Sequence, residues 1–350
     1  MRVFVHILVW NDRRYLPDLF ASLEAQEYKN VTVRVLDNGS TDDSYAYLQE
    51  HFAHSVVARN VRNLGFAGGH NQLLRFTFEH MTEAEGSDAA VLVMNADMIA
   101  DPGLIARLVE ALQANSTVDA VQPKVYRAFG EHVGDETLEE TVQSDILDTT
   151  GLRVARGWRM SDRGAGEIDK GQYDNATDIF AVTGACALIR ASAIRDVLVN
   201  GELYDGEFFA YREDCDFAWR FRAAGHKSAF VAQALVWHYR GMYGKERAGL
   251  WNRLWNRKKQ RPFFAALATR NQLFVLMKNL TFVDTVFAAP WILFHEIGRC
   301  AFGLLFEPET RKLLLKAPAL LPSMLRKRKA AKALRREPSS VLRSYISRHL

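Results

Sequence analysis

The first 125 residues alternate between short apolar runs and stretches of helical periodicity, and no other feature narrows the possible folds as much. "VFVHILVW" from Val3 to Trp10 has the continuous apolar character of a strand buried on both faces, and Pro17 stands where the helix "LPDLFASLEAQ" can begin. Val31–Asp37 reads as a second strand, and "NGSTDDS" supplies N-cap candidates for a helix to about His51. Ser55–Asn60 forms a third strand, followed by the loop "VRNLGFAGGHN" and a helix around Gln72–Met81. Ala90–Asn95, a helix over Pro102–Ala114 and Ala120–Val125 complete the series. Repeated βα units of this length predict an α/β fold, with a mostly parallel central sheet, helices on both faces and ligands at the carboxyl ends of the strands.

Beyond Tyr126 the periodicity fades into a polar excursion to about Tyr173, which reads as an active-site loop. Order returns with "IFAVTGACALIR", a short helix at Ala191–Val199, a helix opening at "YREDCDFAWRFRAAG" and a last strand, "KSAFVAQALVWH". The division at about residue 240 is also one of charge. Residues 241–350 carry 22 Lys and Arg against 6 Asp and Glu, whereas the first 240 carry 23 against 35. An acidic body with a basic helical tail points to a polyanionic partner, either nucleic acid or an anionic membrane. In the tail, Leu250, Trp251, Leu254 and Trp255 fall at helical spacing among Arg247, Arg253, Arg257, Lys258 and Lys259. The apolar run Leu280–Phe306 contains Asp284, Pro290, His295, Glu296 and Arg299, so it is expected to lie on or dip into a membrane, not cross it. Three widely spaced cysteines, Cys186, Cys215 and Cys300, suggest neither disulfides nor a zinc site, and the opening residues lack the regions of a signal peptide. A reducing, cytoplasmic setting is the expectation.

Polar side chains collect at the strand ends: Asn11 and Asp12, Asp37, Asn60 to Gly69, and Asn95 with Asp97. Each has an ordinary explanation as a turn or helix cap, but in a parallel sheet all converge on one edge, which favours a nucleotide site. The glycines Gly65, Gly68 and Gly69 follow the third strand with the wrong spacing for a dinucleotide fingerprint, and no P-loop pattern occurs.

"VRNLGFAGGHN", "VMNADM", "FAVTGACALIR", "FFAYREDCDFAWRFRAAG" and "VWH", in this order and separation, resemble the family 2 glycosyltransferases and their rhamnosyltransferase-like branch. The resemblance covers roughly Val3 to His238, with "TRNQLFVLMKNL" as a similar tail element. It implies a GT-A fold, a nucleotide-diphosphate-sugar donor, Mg²⁺ or Mn²⁺, and inverting transfer. The usual Asp-x-Asp stands here as Asn95-Ala96-Asp97. By resemblance Asp97 and His238 are metal ligands, Asp214 is the general base, and Glu213 orients the acceptor or the base. Asp37 would hold the pyrimidine ring, Asn63 and Gly65 would line the nucleoside, and Asn11, Asn95 and Arg163, the last with Asp162 beside it, would lie toward the donor. The expected reaction moves a sugar, L-rhamnose from dTDP-rhamnose foremost, to a lipid-linked or cell-surface glycan; UDP-galactofuranose or a UDP-hexose is the alternative donor. Residues 1–240 would form the catalytic domain and 241–350 a basic amphipathic region, with Leu325–Glu337, Trp251 and Trp255 holding the enzyme to the inner face of the cell membrane. A nucleic-acid-binding protein gripping phosphate through its tail is the reading from another class; it leaves the acidic strand ends without a purpose, and no nucleic-acid partner is expected. A catalytically dead sugar-nucleotide binder is a further alternative.

Overall fold

A computed structural model of the protein describes residues 1–82, 86, 88–132, 138–239 and 262–346. The chain opens with β1 (Arg2–Val9), α1 (Leu16–Glu24), β2 (Val31–Asp37), α2 (Ser44–Phe52), β3 (Val56–Arg59), α3 (Gly65–His80) and β4 (Ala89–Asn95). These strands pair in parallel in the order β4-β1-β2-β3. Val3, Val5, Ile7 and Val9 of β1 are fully buried between layers, as the unbroken apolar run requires. The register sets Val9 against Asp37 and Leu8 against Asn95, so the polar residues ending β2 and β4 arrive at the same edge as those ending β1.

The rest of the sheet is mixed. After β5 (Met98–Ala100) and α4 (Leu104–Ala114) come β6 (Ala120–His132), β7 (Leu138–Thr149), the small hairpin β8 (Leu152–Val154) and β9 (Met160–Asp162), and β10 (Asp178–Ile179). Then follow β11 (Cys186–Arg190), α5 (Ala191–Asp196), α6 (Glu213–Ala223) and β12 (Ser228–Tyr239). β11 lies antiparallel between β4 and β6, and β12 runs parallel to β6.

Two sequence expectations change here. The glycine run is the first turn of α3, not a loop, because a Cβ on Gly69 would sit 2.3 Å from a Leu8 methyl carbon of β1, so glycine lets helix and sheet touch. The excursion after Tyr126 is largely strand: β6 continues to His132 and pairs antiparallel with β7.

Past residue 261 the chain is helical: α7 (Pro262–Asn279), α8 (Phe282–Ile292), a π-helical turn at Leu293–Ile297, α9 (Gly298–Phe306), α10 (Pro308–Lys316), α11 (Leu321–Ala333) and α12 (Ser339–Arg343). α7 packs on α6, α10 and α11. Trp158 and Trp219, stacked with centroids 4.3 Å apart, share one buried cluster with Phe274, Val275, Met324 and Leu342. The tail is therefore built into the core of the body. The expected membrane-binding run Leu325–Glu337 divides its charge. Lys327 bonds Asp205 and Glu207 and Arg328 caps the carbonyls of Met277 and Leu280, whereas Arg326, Lys329, Lys332 and Arg336 are exposed, the last paired with Asp196. Leu250, Trp251, Leu254 and Trp255, with the cations among them, lie outside the described residues.

Candidate active site

His238, the penultimate residue of β12, is buried where that strand meets β5, its backbone in register with Met98. Its Nε2 is 3.1 Å from Asp97 Oδ1, and its Nδ1 is 2.9 Å from Asp148 Oδ2. Asn95 Nδ2 lies 3.5 Å from the same Nε2. Burial opposes charge on the imidazole, but the carboxylates of Asp97 and Asp148 outweigh it and push its pKa up to about 10. Asp12, half-buried after β1, is pushed up to about 7, by burial first and then, against a bond from the Trp10 amide at 2.8 Å, by the nearby charge of Asp97. Asp12, Asp97 and Asp148 thus gather at the strand ends around His238, with Arg127 Nε 3.6 Å from Asp148 Oδ1.

Across this edge lie Glu213 and Asp214, in the first turn of α6. A Cβ added to Gly184 would touch the Asp214 Cβ at 3.3 Å, and the next residue, Ala185, accepts the Asn95 amide at 2.9 Å, so Asp214 stands next to the strand end that carries the metal motif. Asp214 Oδ1 accepts the Cys215 amide at 2.7 Å. Glu213 is buried, its Oε2 without a partner among the described residues, and burial followed by the charge of Asp214 raises its pKa well above the ordinary carboxylate range.

The turn that presents this pair is strained. Phe209, Tyr211 and Arg212 have φ of 66°, 68° and 72°, which non-glycine residues rarely adopt. Asn271 of α7 holds it: its Nδ2 lies 2.9, 3.0 and 2.8 Å from the carbonyls of Phe208, Ala210 and Tyr211. Arg270 fixes the Asn271 side chain by donating to its Oδ1 at 2.8 Å. On the other side Phe209 O accepts from the Ala67 amide, and Gly65, at φ 76°, has no room for a Cβ, which would fall 2.2 Å from that oxygen.

The remaining predicted residues fall into three situations. Asp37 is fully buried at the end of β2, its Oδ2 3.2 Å from Arg59 Nε and its Oδ1 without a partner among the described residues. Asn63 and Asn11 organise loops: Asn63 Oδ1 accepts from the Gly65 amide at 2.6 Å, and Asn11 Oδ1 accepts from the Thr41 amide at 2.7 Å. Arg163 is turned into the excursion. Buried between the rings of Tyr173 and Phe230, it donates three of its five N–H groups there, to Thr150 Oγ1, Thr150 O and Ala176 O. Asp148 and Asn271 were not singled out as residues: Asp148 lies in the excursion read only as an active-site loop, and Asn271 in the tail element "TRNQLFVLMKNL", which carried no role beyond its resemblance.

The donor set fits a hard divalent cation. An imidazole nitrogen and a carboxylate oxygen 3.1 Å apart are at the spacing of two ligands sharing one ion, and Asp148 behind the imidazole orients it as carboxylates do behind metal-bound histidines. Among the described residues no group of three or more His, Cys, Asp or Glu could hold a metal, so a diphosphate would supply much of the coordination, as is common for Mg²⁺.

The chain is similar to the N-acetylglucosaminyl-diphospho-decaprenol L-rhamnosyltransferase of Mycobacterium tuberculosis, 25% identical over 230 residues, 65% of this chain and 72% of that protein. The fold is similar to that of S. aureus TarS 1–349 in complex with UDP, with TM-score 0.52 and 13% identity over 95% of this chain and 90% of that one. It also resembles GalNAc-T7 with UDP, GalNAc and Mn²⁺, with TM-score 0.55 and 12% identity over 79% of this chain; the match spans about half, 48%, of that protein. The model of glycosyl transferase family 2 matches residues 4–198, more than half of the sequence, and with the GT-A fold this makes the chain a nucleotide-sugar-dependent glycosyltransferase of family 2.

Proposed function

We propose that the protein is an inverting transferase that moves L-rhamnose from dTDP-rhamnose to a hydroxyl of a lipid-linked glycan at the inner face of the cell membrane. The observation that carries the reading is the placement of the Asp97–His238–Asp148 cluster at the strand ends beside the turn bearing Glu213 and Asp214. The rhamnosyl relative, whose acceptor is built on a decaprenyl diphosphate, supports the choice of sugar and of acceptor class.

Asp97 and His238 would hold Mg²⁺ or Mn²⁺, which when bound supplies Lewis-acid neutralisation of the departing diphosphate. Asp37 closes the pyrimidine end, its free Oδ1 available to accept a ring N–H, while Asn11, Asn63 and Gly65 shape the surrounding loops and Asn95 flanks the pyrophosphate. Asp214 takes the proton from the acceptor hydroxyl as its oxygen forms the new bond to C1; the C1–O bond to the diphosphate breaks, and the diphosphate leaves with the electron pair. Glu213, kept neutral by burial and by its neighbour, leaves the negative charge on Asp214. Residues 1–240 carry this chemistry, and 241–350 brace it and face the membrane.

Transfer from dTDP-rhamnose to a polyprenyl-diphosphate glycan tests the reading. Asp214→Asn should lower turnover by about 10²- to 10⁴-fold and leave nucleotide affinity nearly unchanged; near-normal turnover would remove Asp214 from the mechanism. Stabilisation by UDP-sugars and not by dTDP-rhamnose in a melting assay would replace the donor by UDP-galactofuranose or a UDP-hexose.

A further inference from the structure

The helices α8 and α9 are inside out. Asp284 is fully buried, accepting from Thr281 Oγ1 and Ser339 Oγ at 2.7 Å each, and Glu296 is 4% exposed, bonded to Arg299 at 2.7 Å. Phe282 is 82% exposed, Phe294 77% and Leu305 69%, with Phe287, Ile297 and Phe306 also turned outward. A helix on the surface of a water-soluble protein shows the opposite pattern, apolar face inward and charges outward. Exposed apolar residues this dense, carried by two consecutive helices, mark an interaction surface.

From this inversion we infer that the helical segment made of α8, the π-helical turn and α9 lies in the plane of a lipid bilayer, with its apolar face among the acyl chains. Among the described residues no helix is long and apolar enough to cross a membrane, and the buried Asp284 and Glu296 tie one side of the segment to the protein, so it lies along the interface. Charge argues for lipid over a second copy of the chain. α10, which packs on α9, exposes Arg311, Lys312 and Lys316. A copy would bring the same positive charges together, whereas anionic headgroups complement them. Trp291, under the Arg156 guanidinium at 5.3 Å, has the amphipathic character of an interfacial anchor. The inference deepens the proposed lipid-linked acceptor by assigning the apolar grip on the membrane to this helical segment.

Vesicle flotation of the full chain tests it, with phosphatidylcholine vesicles and with vesicles enriched in phosphatidylglycerol. Phe294→Ser/Leu305→Ser/Phe306→Ser should lower binding to both by at least about tenfold, whereas Lys312→Gln/Lys316→Gln should lose only the gain that phosphatidylglycerol brings. Nucleotide-induced stabilisation should be the same in the triple variant as in the parent, which shows that it is folded. Parental flotation of the triple variant would overturn the inference. So would its conversion from dimer to monomer in sedimentation without lipid, since the face would then belong to a second copy. Failure of every sugar nucleotide to stabilise the protein, with flotation behaving as expected, would sink the donor assignment and leave the membrane-lying segment standing.

Discussion

Two clusters of charge are built from the same kinds of residue and serve opposite ends. Behind the active edge, Asp205, Asp216 and Glu207 meet Lys278, Lys327 and Arg220: Lys278 Nζ is 2.6 Å from Asp205 and 2.8 Å from Asp216, Arg220 Nε is 3.1 Å from Asp216, and Lys327 Nζ is 2.8 Å from Glu207. Asn279 takes the remaining oxygen of Asp216 at 2.8 Å. Acids and bases balance and nearly every valence is used. At the strand ends, by contrast, Asp12, Asp97, Asp148, Glu213 and Asp214 are not knitted into one network, and Glu213 keeps an oxygen without a partner among the described residues. Burial has opposite consequences in the two places. Asp216 is held down to about 2: burial alone would raise it, but the cations of Lys278 and Arg220 prevail. Asp12 is pushed up to about 7. A closed, balanced cluster fastens the tail to the body, whereas the strand-end groups with shifted pKa values are the ones proposed to meet ligands.

Breaking the closed cluster should have the largest effect. Lys278→Met removes a buried cation shared by the carboxylates of Asp205 and Asp216 and should lower stability in denaturant unfolding by about 3–5 kcal/mol; unchanged stability would mean that the cluster does not hold the tail. Asp148→Asn acts on the strand-end cluster. Calorimetric affinity for Mn²⁺ in the presence of nucleotide should fall about 10- to 100-fold, while metal-free nucleotide binding is kept. Asn271→Ala, at the junction of the two, should lower kcat about tenfold by letting the turn before Asp214 relax, with the donor KM unchanged; a rise in KM alone would assign Asn271 to donor binding.

The smallest effect is on pH dependence, and it separates the clusters by sign. Asp216 binds its proton less tightly when folded, so its contribution is present above about pH 4 and disappears as pH falls through about 2. Asp12 binds its proton more tightly when folded, so stability declines as pH rises from about 4, where the unfolded carboxyl ionises, to about 7. Asp12→Asn should therefore raise the melting temperature at pH 8 by a few degrees, about the scale of 1 kcal/mol, and have less effect at pH 4. Equal effects at both pH values would contradict the assignment.

The alternation of apolar runs and helices was enough to place β1 through β4, because strands buried on both faces must be continuously apolar, and it put Asp37, Asn95 and Asp97 at a common edge. The excursion after Tyr126 was illegible: β7 pairs with β6 and β8 with β9, close along the chain, but polar alternation at a sheet edge looks locally like loop. The basic run Leu325–Glu337 was legible only in part, since charge in a sequence does not say which way each side chain faces. Lys327 is buried because Asp205 and Glu207, about 120 residues earlier, stand opposite it.

The sequence by itself determined the order of elements, the family and the carboxylates available for chemistry, since these rest on local periodicity and on residue type. Only the tertiary structure decided that Asp148 backs His238, that Asn271 restrains the turn before Asp214, that Arg163 is turned into the excursion, and that α8 and α9 carry their charges inward. Each of these is a pairing across long stretches of chain, and a polar group's role is set by what burial and its partners leave unsatisfied.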